Sequence, residues 1–353
     1  MRPQIVFVVD EKFSPLWRAA NSHAKSCNIE ILCSNEFASI NNLVRVISKL
    51  RPRCIVFSWR GAFDSVMSSS RARNVLKKSE VYIFLLVPDL MGVTKQTQSE
   101  QLRIDLADGL LVTSRELQDK YKSTYELRNI QILHDLIPFE ILDSVLQRNV
   151  KRRGKQIIWI GNSRWGRRQG FIDHKGLRSI AIPVLNQLRA YDRSINLKII
   201  DSSRKRMPYR EVMKELAESD CLIFTSKSEG TGLPIIEAAY LGTPVVTFEV
   251  GIASEVLTDE LSDLISSRSV DVFAGKVLDV LGNVEDYSKI FSKRARQYRR
   301  EIASEIEELN LVPNDLGNWR DFRSKFRLKL MLKWLARWIH YKAVKFRVNF
   351  SQQ

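Results

Sequence analysis

Two glutamates that bracket a glycine-rich stretch are the residues of this sequence best suited to chemistry. Glu229 and Glu237 lie eight positions apart, and Gly230 and Gly232 follow the first of them. The glycines let main-chain amides approach a ligand closely, and Pro234 is typical of a first helical turn, whose free N–H groups favour a diphosphate. A carboxylate accepts two hydrogen bonds from the vicinal hydroxyls of a ribose or hexose. The pattern therefore indicates a site for a phosphorylated, hydroxyl-rich ligand.

The elements that must position these residues are short apolar runs separated by helical patterns. The first series of predicted strands is Ile5–Val9, Ile29–Cys33, Cys54–Ser58, Val81–Leu86, Gly109–Val112 and Ile130–Leu133. The second series is Gln156–Ile160, Asn196–Ile200, Cys221–Phe224, Pro244–Thr247 and a weaker strand at Asp263–Ile265. Strands that alternate with helices predict parallel sheets. The sequence thus predicts two α/β domains, each with a doubly wound parallel sheet, and a ligand cleft between them at the carboxyl ends of the strands.

Helical patterns fill the gaps between these strands. They cover residues 40–50, 63–78, 175–191, 209–218, 234–241 and 269–282. Ser114 is expected to cap a further helix that runs to about Tyr121. Because Pro138 and a basic run at 148–155 interrupt the pattern, we place one domain at 1–145, a second at 146–285 and a C-terminal helical segment at 286–353.

The stretch from Glu229 to Glu237, EGTGLPIIE, resembles the E-x7-E signature of GT-B glycosyltransferases, especially glycosyltransferase family 4. The flanks match as well, at Ala238, Gly242, Thr243, Pro244, Val245, Val246, Gly251, Glu255 and Val256. The resemblance extends over roughly residues 156–260. It implies the GT-B architecture, with two Rossmann-like domains, and a retaining transfer of a hexosyl group from a nucleotide-diphosphate sugar.

The resemblance also implies a role for each residue of the motif. Glu229 is expected to meet the donor sugar at the reaction centre, and Glu237 to bind the nucleotide ribose. Main-chain amides beside the sugar and phosphates are expected from Gly230, Thr231, Gly232 and Leu233. No metal or other cofactor is implied, because protein cations and a helix end can stabilise the departing diphosphate. The alternative interpretation is a structural turn with two solvated glutamates.

The loop after the first strand of the second domain concentrates positive charge. Residues 148–178 contain ten Lys and Arg residues and one acidic residue, in a chain whose net charge is +16. By the resemblance, Gly161 and Lys175 are expected to bind the donor diphosphate. The family carries an arginine directly after this glycine, where the present chain has Asn162, so we transfer that role to Arg164. For any single loop arginine the alternative is a solvated surface charge.

The first domain departs from the family pattern. Its first loop, DEKFSPLW, contains no glycine, and Asp89 follows the fourth strand where family members often carry a histidine. Asp89 is the candidate to activate or orient the acceptor, with a turn or cap role as the alternative. His134 is expected to be structural or close to the nucleotide. These departures leave open a catalytically degenerate scaffold subunit. A hydrolysing nucleotide-sugar epimerase, which also uses two such domains, is the other alternative, although its chemistry would need more carboxylates and histidines at the cleft.

A second concentration of positive charge lies at the C-terminus, where residues 321–353 contain nine Lys and Arg residues and one acidic residue. If residues 328–341 form a helix, its basic residues form a stripe on one side and its Leu and Trp residues form a broad apolar surface on the other. This pattern is typical of helices that lie in a membrane interface. We expect residues 322–347 to contact an anionic membrane, with packing on the protein or on a partner subunit as the alternatives. Charge in two local clusters argues against a protein that coats nucleic acid.

No apolar run in the chain is long enough to span a bilayer, and none resembles a signal peptide. The sequence therefore predicts a cytoplasmic enzyme, peripheral at the inner face of the membrane. We expect it to act on a glycan or lipid-linked acceptor in the biosynthesis of cell-surface polysaccharide.

Overall fold

The computed structural model describes residues 4–12, 14–24, 28–79, 81–94, 97–127, 129–148, 150–303 and 305. The first of its two sheets consists of β1 (Ile5–Val9), β2 (Ile29–Cys33), β3 (Cys54–Phe57), β4 (Tyr82–Val87), β5 (Gly109–Val112) and β6 (Ile130–Ile132). These strands are all parallel and lie in the order β2-β1-β3-β4-β5-β6. Strands β3 and β5 are buried along their whole length, because helices cover both faces of a parallel sheet.

Serine hydroxyls start several of the helices that accompany this sheet. The helices are α1 (Pro15–Ala24), α2 (Ile40–Leu50), α3 (Arg60–Ser68), α4 (Ser70–Lys78), α5 (Met91–Thr94), α6 (Thr97–Leu106), α7 (Arg115–Thr124) and α8 (Phe139–Leu146). The predicted cap at Ser114 is confirmed, since its hydroxyl accepts the N–H of Leu117. The single helix predicted at 63–78 is wrong, because Ser69 is extended, ends α3 and caps α4.

The second sheet has four parallel strands, β7 (Gln156–Gly161), β8 (Asn196–Asp201), β9 (Cys221–Phe224) and β10 (Val245–Thr247), in the order β10-β9-β7-β8. Its helices are α9 (Ile182–Tyr191), α10 (Tyr209–Ala217), α11 (Leu233–Leu241), α12 (Ala253–Val256), α13 (Val270–Gly282) and α14 (Val284–Ala303). A π-helical turn at Leu177–Ala181 precedes α9. The predicted strand at 263–265 is wrong. Only Ile265 bridges to β10, after a 3-10 helix at Asp259–Leu264.

Each sheet has its own hydrophobic core. In the second core Trp159 of β7 is among the largest fully buried side chains, and its indole N–H donates to the hydroxyl of Thr225 at 3.1 Å. Helix α8 adds Leu142 and Val145 to this core, and α14 packs against α11. The domain boundaries at 145/146 and 285/286 stay predictions.

The basic C-terminal segment, residues 322–347, lies outside the described residues, so the interfacial helix stays a prediction. Among the helices that the structure describes, none combines the length and the apolar character that a bilayer span requires.

Candidate active site

The loop from β9 to α11 presents a helix start to the space between the sheets. Gly232 is the N-cap of α11 and has φ of 80°, a left-handed conformation that favours glycine. Leu233 opens the helix and Pro234 occupies its first turn. Within the described residues no side chain caps this helix start. Pro234 has no N–H and that of Ile235 donates to the Gly232 carbonyl at 2.9 Å, so of the first three helical residues that the structure describes, Leu233 is the one whose N–H can meet an external acceptor.

Gly230 brings this loop into direct contact with the first domain. The backbone there approaches so closely that a Cβ at position 230 would lie 1.9 Å from the carbonyl oxygen of Pro88. The Ser114 hydroxyl donates to the Gly230 carbonyl at 2.6 Å. Glycine is therefore required at position 230 for the contact between the domains, whereas the left-handed turn is at Gly232.

Further hydrogen bonds connect the domains around this contact. Thr231 Oγ1 donates to Asp135 Oδ2 at 2.6 Å, and burial raises the pKa of Asp135. Glu255 accepts the N–H of Arg115 at 2.9 Å, and Glu116 accepts the N–H of Gly251. The structure therefore shows the two domains closed on one another at the glycine-rich loop.

Lys175 and Glu229 form an ion pair inside the cleft. Lys175 Nζ lies 2.5 Å from Glu229 Oε1, and their side chains are only 16% and 14% exposed. The lysine also lies 5.4 Å from the centre of the Trp165 ring. Glu229 is thus not the solvated glutamate of the alternative interpretation, and the structure brings together a predicted sugar-binding carboxylate and a predicted phosphate-binding cation.

A cavity of about 160 Å³ separates the walls of the cleft at this point. Asp89 and Met91 line it from the first domain, and Glu229 and Gly230 line it from the second. The lining also includes three aromatic residues, Trp165, Phe171 and His174. Because ligand pockets typically measure about 300–1,000 Å³, a nucleotide sugar would need these walls to move apart.

Asp89 is held by the first domain. Arg60 Nη1 donates to its two carboxylate oxygens at 3.0 and 3.1 Å, and the N–H of Met91 donates to Oδ1 at 2.9 Å. Arg60 also bonds the buried carboxylate of Glu100. Although burial opposes ionisation, Arg60 and Tyr121 hold the pKa of Glu100 below its usual value. Asp89 therefore lines the cleft and caps a turn at the same time.

Glu237 is buried and bonded to a tyrosine. Tyr209 Oη donates to Glu237 Oε1 at 2.8 Å, and the guanidinium of Arg18 lies 5.1 Å from the centre of the Tyr209 ring. Burial raises the pKa of Glu237, and the hydrogen bond from Tyr209 and the charge of Arg18 oppose that shift. The second glutamate of the motif therefore lies near Tyr209 of α10 and Arg18 of the first domain.

Of the last two predicted donor-binding residues, Gly161 ends β7 and Arg164 lies on the loop that follows. The Gly161 carbonyl accepts the N–H of Ser202 at 2.9 Å, which fixes the end of the strand. Arg164 lines a second pocket of about 610 Å³, whose lining includes neither Lys175 nor Glu229. The structure thus places Lys175 in the cleft and Arg164 in a neighbouring pocket.

His134 anchors the joint between the domains. Its Nε2 lies 2.7 Å from Glu255 Oε2, and its Nδ1 lies 2.5 Å from Glu305 Oε1. Burial lowers the pKa of His134, but the two carboxylates outweigh this effect and raise it to about 9. These contacts support the structural interpretation of this histidine.

Sequence reasoning missed the residues that hold the predicted ones. Arg60 was not singled out, Ser114 was recognised only as a helix cap, and Tyr209 only as the start of a helix. All three follow strands, namely β3, β5 and β8. Because ligands of parallel sheets bind beyond the carboxyl ends of strands, polar residues at those ends were the available signal.

Within the part of the chain that the structure describes, no group of three or more His, Cys, Asp or Glu side chains could hold a metal ion.

Comparison with known families identifies one segment. Residues 196–298 match the family model of glycosyl transferases group 1. The matched segment runs from β8 to α14 and includes Glu229, the glycine-rich loop and Glu237. No sequence among the curated proteins matches this chain.

Solved structures share the fold at low identity. A TarM mutant from S. aureus, in complex with fondaparinux, alpha-GlcNAc-glycerol and UDP, is 16% identical with a TM-score of 0.59. That match covers 77% of this chain and 58% of TarM. Sucrose-phosphate synthase from Thermosynechococcus elongatus is 11% identical with a TM-score of 0.61, over 86% of this chain and 98% of the synthase. HepE from Anabaena, in complex with UDP and glucose, is 13% identical with a TM-score of 0.55, over 86% of this chain and 99% of HepE.

The two parallel sheets and these likenesses define the fold. The chain has the GT-B architecture, as the sequence predicted. Together with the family match, this architecture supports a glycosyltransferase. The present chain spans 58% of the length of TarM.

Proposed function

We propose that this protein is a glycosyltransferase of the family 4 type, which transfers a hexosyl group from a nucleotide-diphosphate sugar to a glycan or lipid-linked acceptor. The transfer retains the anomeric configuration and serves the synthesis of cell-surface polysaccharide. The observation that carries this proposal is the Lys175–Glu229 pair, 2.5 Å apart in the cleft beside the uncapped start of α11.

The pair suits the donor because each member has a complementary group on a nucleotide sugar. When the donor enters, its diphosphate accepts hydrogen bonds from Lys175 and from main-chain amides of the segment Gly230 to Leu233. The sugar hydroxyls donate to Glu229 in place of the lysine. As the bond to the sugar breaks, negative charge grows on the leaving diphosphate, and the lysine and amides stabilise it.

The other residues position the substrates. The carboxylate of Glu237, oriented by Tyr209, accepts from the ribose hydroxyls. Asp89 orients the acceptor hydroxyl as a hydrogen-bond acceptor. Both of its oxygens also accept hydrogen bonds from Arg60, which fixes the direction of the carboxylate.

The test measures hydrolysis or transfer of a panel of nucleotide sugars by Glu229→Ala and Lys175→Ala. We expect kcat/KM to fall by about a hundredfold or more in each, as on removal of a group that stabilises transition-state charge. Lys227→Ala removes an exposed positive charge from the same loop and serves as the matched control. Wild-type activity in both Glu229→Ala and Lys175→Ala would contradict the proposal.

A scaffold subunit is the second candidate function. The cavity of about 160 Å³ and the restrained Asp89 favour it, because a binding subunit needs neither an open donor site nor a free base. Calorimetry with nucleoside diphosphates, followed by turnover assays, separates the candidates. Binding without turnover identifies the scaffold, whereas interconversion of free donors identifies a hydrolysing epimerase.

The location proposed for the enzyme is the inner face of the membrane, through residues 322–347. The charge of that segment supports it, since each basic group near anionic lipid contributes about 1 kcal/mol. Co-sedimentation with anionic liposomes tests it, with the full chain compared to one that ends near residue 318. Equal binding of both chains contradicts the membrane contact.

A further inference from the structure

A second pocket lies on the second domain, next to the cleft. We call it the arginine pocket. Its volume is about 610 Å³, and its lining includes four arginines, Arg164, Arg167, Arg178 and Arg204. The loop after β7, the π-helical turn and the loop after β8 each contribute at least one of them.

The charge of the arginine pocket has little compensation from the protein. Arg164, Arg167 and Arg178 form no ion pair with any carboxylate of the described residues. Arg204 lies 3.4 Å from Asp201, but Ser163 and Ser203 already donate to that carboxylate. Four arginines in one lining therefore leave an excess of positive charge that an anion would neutralise.

The acidic residue of the lining, Asp173, offsets one of the four positive charges and is already bonded to the backbone. The carboxylate of Asp173 accepts the backbone N–H groups of Arg178 and Ser179 at 3.0 and 2.7 Å. Although burial opposes ionisation, these bonds hold the pKa of Asp173 below its usual value. Asp173 thus serves to shape the π-helical turn, and the guanidinium of Arg178 remains available to a ligand.

Size and position indicate what kind of anion fits. The volume is within the range of about 300–1,000 Å³ that is usual for ligand pockets. Phe171 lines both the arginine pocket and the cleft at Glu229, so the two spaces are neighbours. Ile172, also in the lining, is 84% exposed and offers an apolar rim. A ligand held here by a phosphate could extend past Phe171 into the cleft.

We propose that the arginine pocket binds a phosphate group of the acceptor, as a phosphate monoester or diphosphate, separately from the donor diphosphate at Lys175. Arginine suits this purpose because its planar fork donates two parallel hydrogen bonds to phosphate oxygens. The assignment of the ligand as an acceptor rests on the proposed transferase function, whereas the phosphate site itself does not.

The first test titrates pyrophosphate into the full chain by calorimetry at low ionic strength. We expect Arg167→Gln and Arg178→Gln each to weaken binding by about tenfold, the usual loss for one charge-assisted hydrogen bond. Arg168→Gln is the matched control, because Arg168 is exposed beside Arg167 and is not among the lining residues. Pyrophosphate binding that is equally weak in the control would show only diffuse attraction and overturn the proposal.

The second test asks whether the arginine pocket is separate from the donor site. A nucleoside diphosphate is titrated into Lys175→Ala and into Arg178→Gln. We expect the first variant to lose binding and the second to retain it. If Arg178→Gln loses nucleotide binding as strongly as pyrophosphate binding, the pocket belongs to the donor site and the proposal fails. Neither titration requires turnover, so a failed transferase assay leaves this result intact.

The source of the phosphate is distinguished by two probes. Glycerol 3-phosphate represents a soluble phosphate monoester, and vesicles of phosphatidylcholine with phosphatidic acid represent a lipid. Wild type and Arg178→Gln are compared for each probe, so that any contribution of the basic C-terminal segment cancels. Weaker binding of either probe by the variant supports the site and identifies its source. No difference for both probes overturns it.

Discussion

The two walls of the cleft hold their charges in different ways. On the second domain Lys175 and Glu229 pair with one another, 2.5 Å apart, and both can exchange that partner for a ligand. On the first domain Asp89 is bound to Arg60, which is itself bound to the buried Glu100. One wall therefore has charges ready to rearrange around a substrate, whereas the other has charges that maintain its shape.

The rigid wall depends on an extended buried network. Glu100 has no exposed side-chain surface, and Arg60, Arg103 and Tyr121 all donate to its carboxylate. Gly92 packs on this group so closely that a Cβ there would lie 2.1 Å from Tyr121 Oη. A buried carboxylate of this kind is tolerated only while its partners remain in place.

The largest effect expected is therefore on stability, from Arg60→Met. This change leaves Glu100 buried with one of its two cationic partners and frees Asp89. We expect the free energy of unfolding to fall by about 3–5 kcal/mol, as for other buried pairs that lose one member. Urea denaturation followed by circular dichroism measures the loss.

The control for this prediction is Arg71→Met, which removes an exposed arginine from α4. It should change the free energy of unfolding by no more than about 0.5 kcal/mol. A similar small change in Arg60→Met would mean that the first wall is not held by its buried charges, and the contrast between the walls would disappear.

Much of the scaffold that carries both walls was predictable from the sequence. Ten strands begin and end within one residue of their expected positions, and the fully buried strands β3, β5 and β9 read as continuous apolar runs. The segment at 263–265 has three residues and no such run, and it forms a 3-10 helix with a single bridge. Helix α6 was not predicted, because its apolar residues form no clear stripe.

The site was predictable only as far as a local motif extends. Glu229 and its glycines are consecutive in the chain, so their spacing could be read directly. The partners of these residues are remote in sequence, since Lys175 is 54 positions from Glu229, and Arg60 is 29 from Asp89. The hydrophobic pattern and the helix or strand propensity of a segment do not determine such pairings, because they depend on how distant segments pack in the folded chain.

The second prediction concerns the contact between the walls. In Gly230→Ala the new methyl group would overlap the carbonyl oxygen of Pro88, so the loop and the first domain must separate. We expect transfer activity to fall by about a hundredfold, since small misplacements of positioned groups have effects of this size. Gly275→Ala, on α13 with no atom near its added Cβ, is the control and should keep wild-type activity.

Small-angle X-ray scattering provides an independent measurement of the same change. The radius of gyration of Gly230→Ala should exceed that of the wild type, whereas Gly275→Ala should match it. An active Gly230→Ala protein with wild-type dimensions would show that the closed contact at Pro88 is not needed.

The third prediction concerns the joint at His134 and is a pH dependence. The pKa of this histidine is raised from 6.5 to about 9 in the folded protein, so its protonation stabilises the fold. The contribution is complete below pH 6.5 and is lost as pH rises through about 9. It amounts to at most about 3 kcal/mol.

Unfolding of His134→Gln at about pH 6 and pH 10 measures this contribution. Relative to the wild type, the variant should be less stable at pH 6, and the difference should shrink at pH 10. His174→Gln is the control, because burial lowers the pKa of His174 and its loss should not produce this trend. A difference that is constant with pH would contradict a protonated His134 between its two glutamates.

The smallest effect is expected from Asp89→Asn, and it separates the two walls most directly. The asparagine can still accept from Arg60 and from the N–H of Met91, so the turn survives the change. If Asp89 orients the acceptor, transfer should fall by at most about tenfold, and the pH profile of kcat/KM should keep its wild-type shape. Loss of about a hundredfold with disappearance of the acidic limb would identify Asp89 as a general base. The first wall would then resemble the second, because its carboxylate would also exchange partners during the reaction.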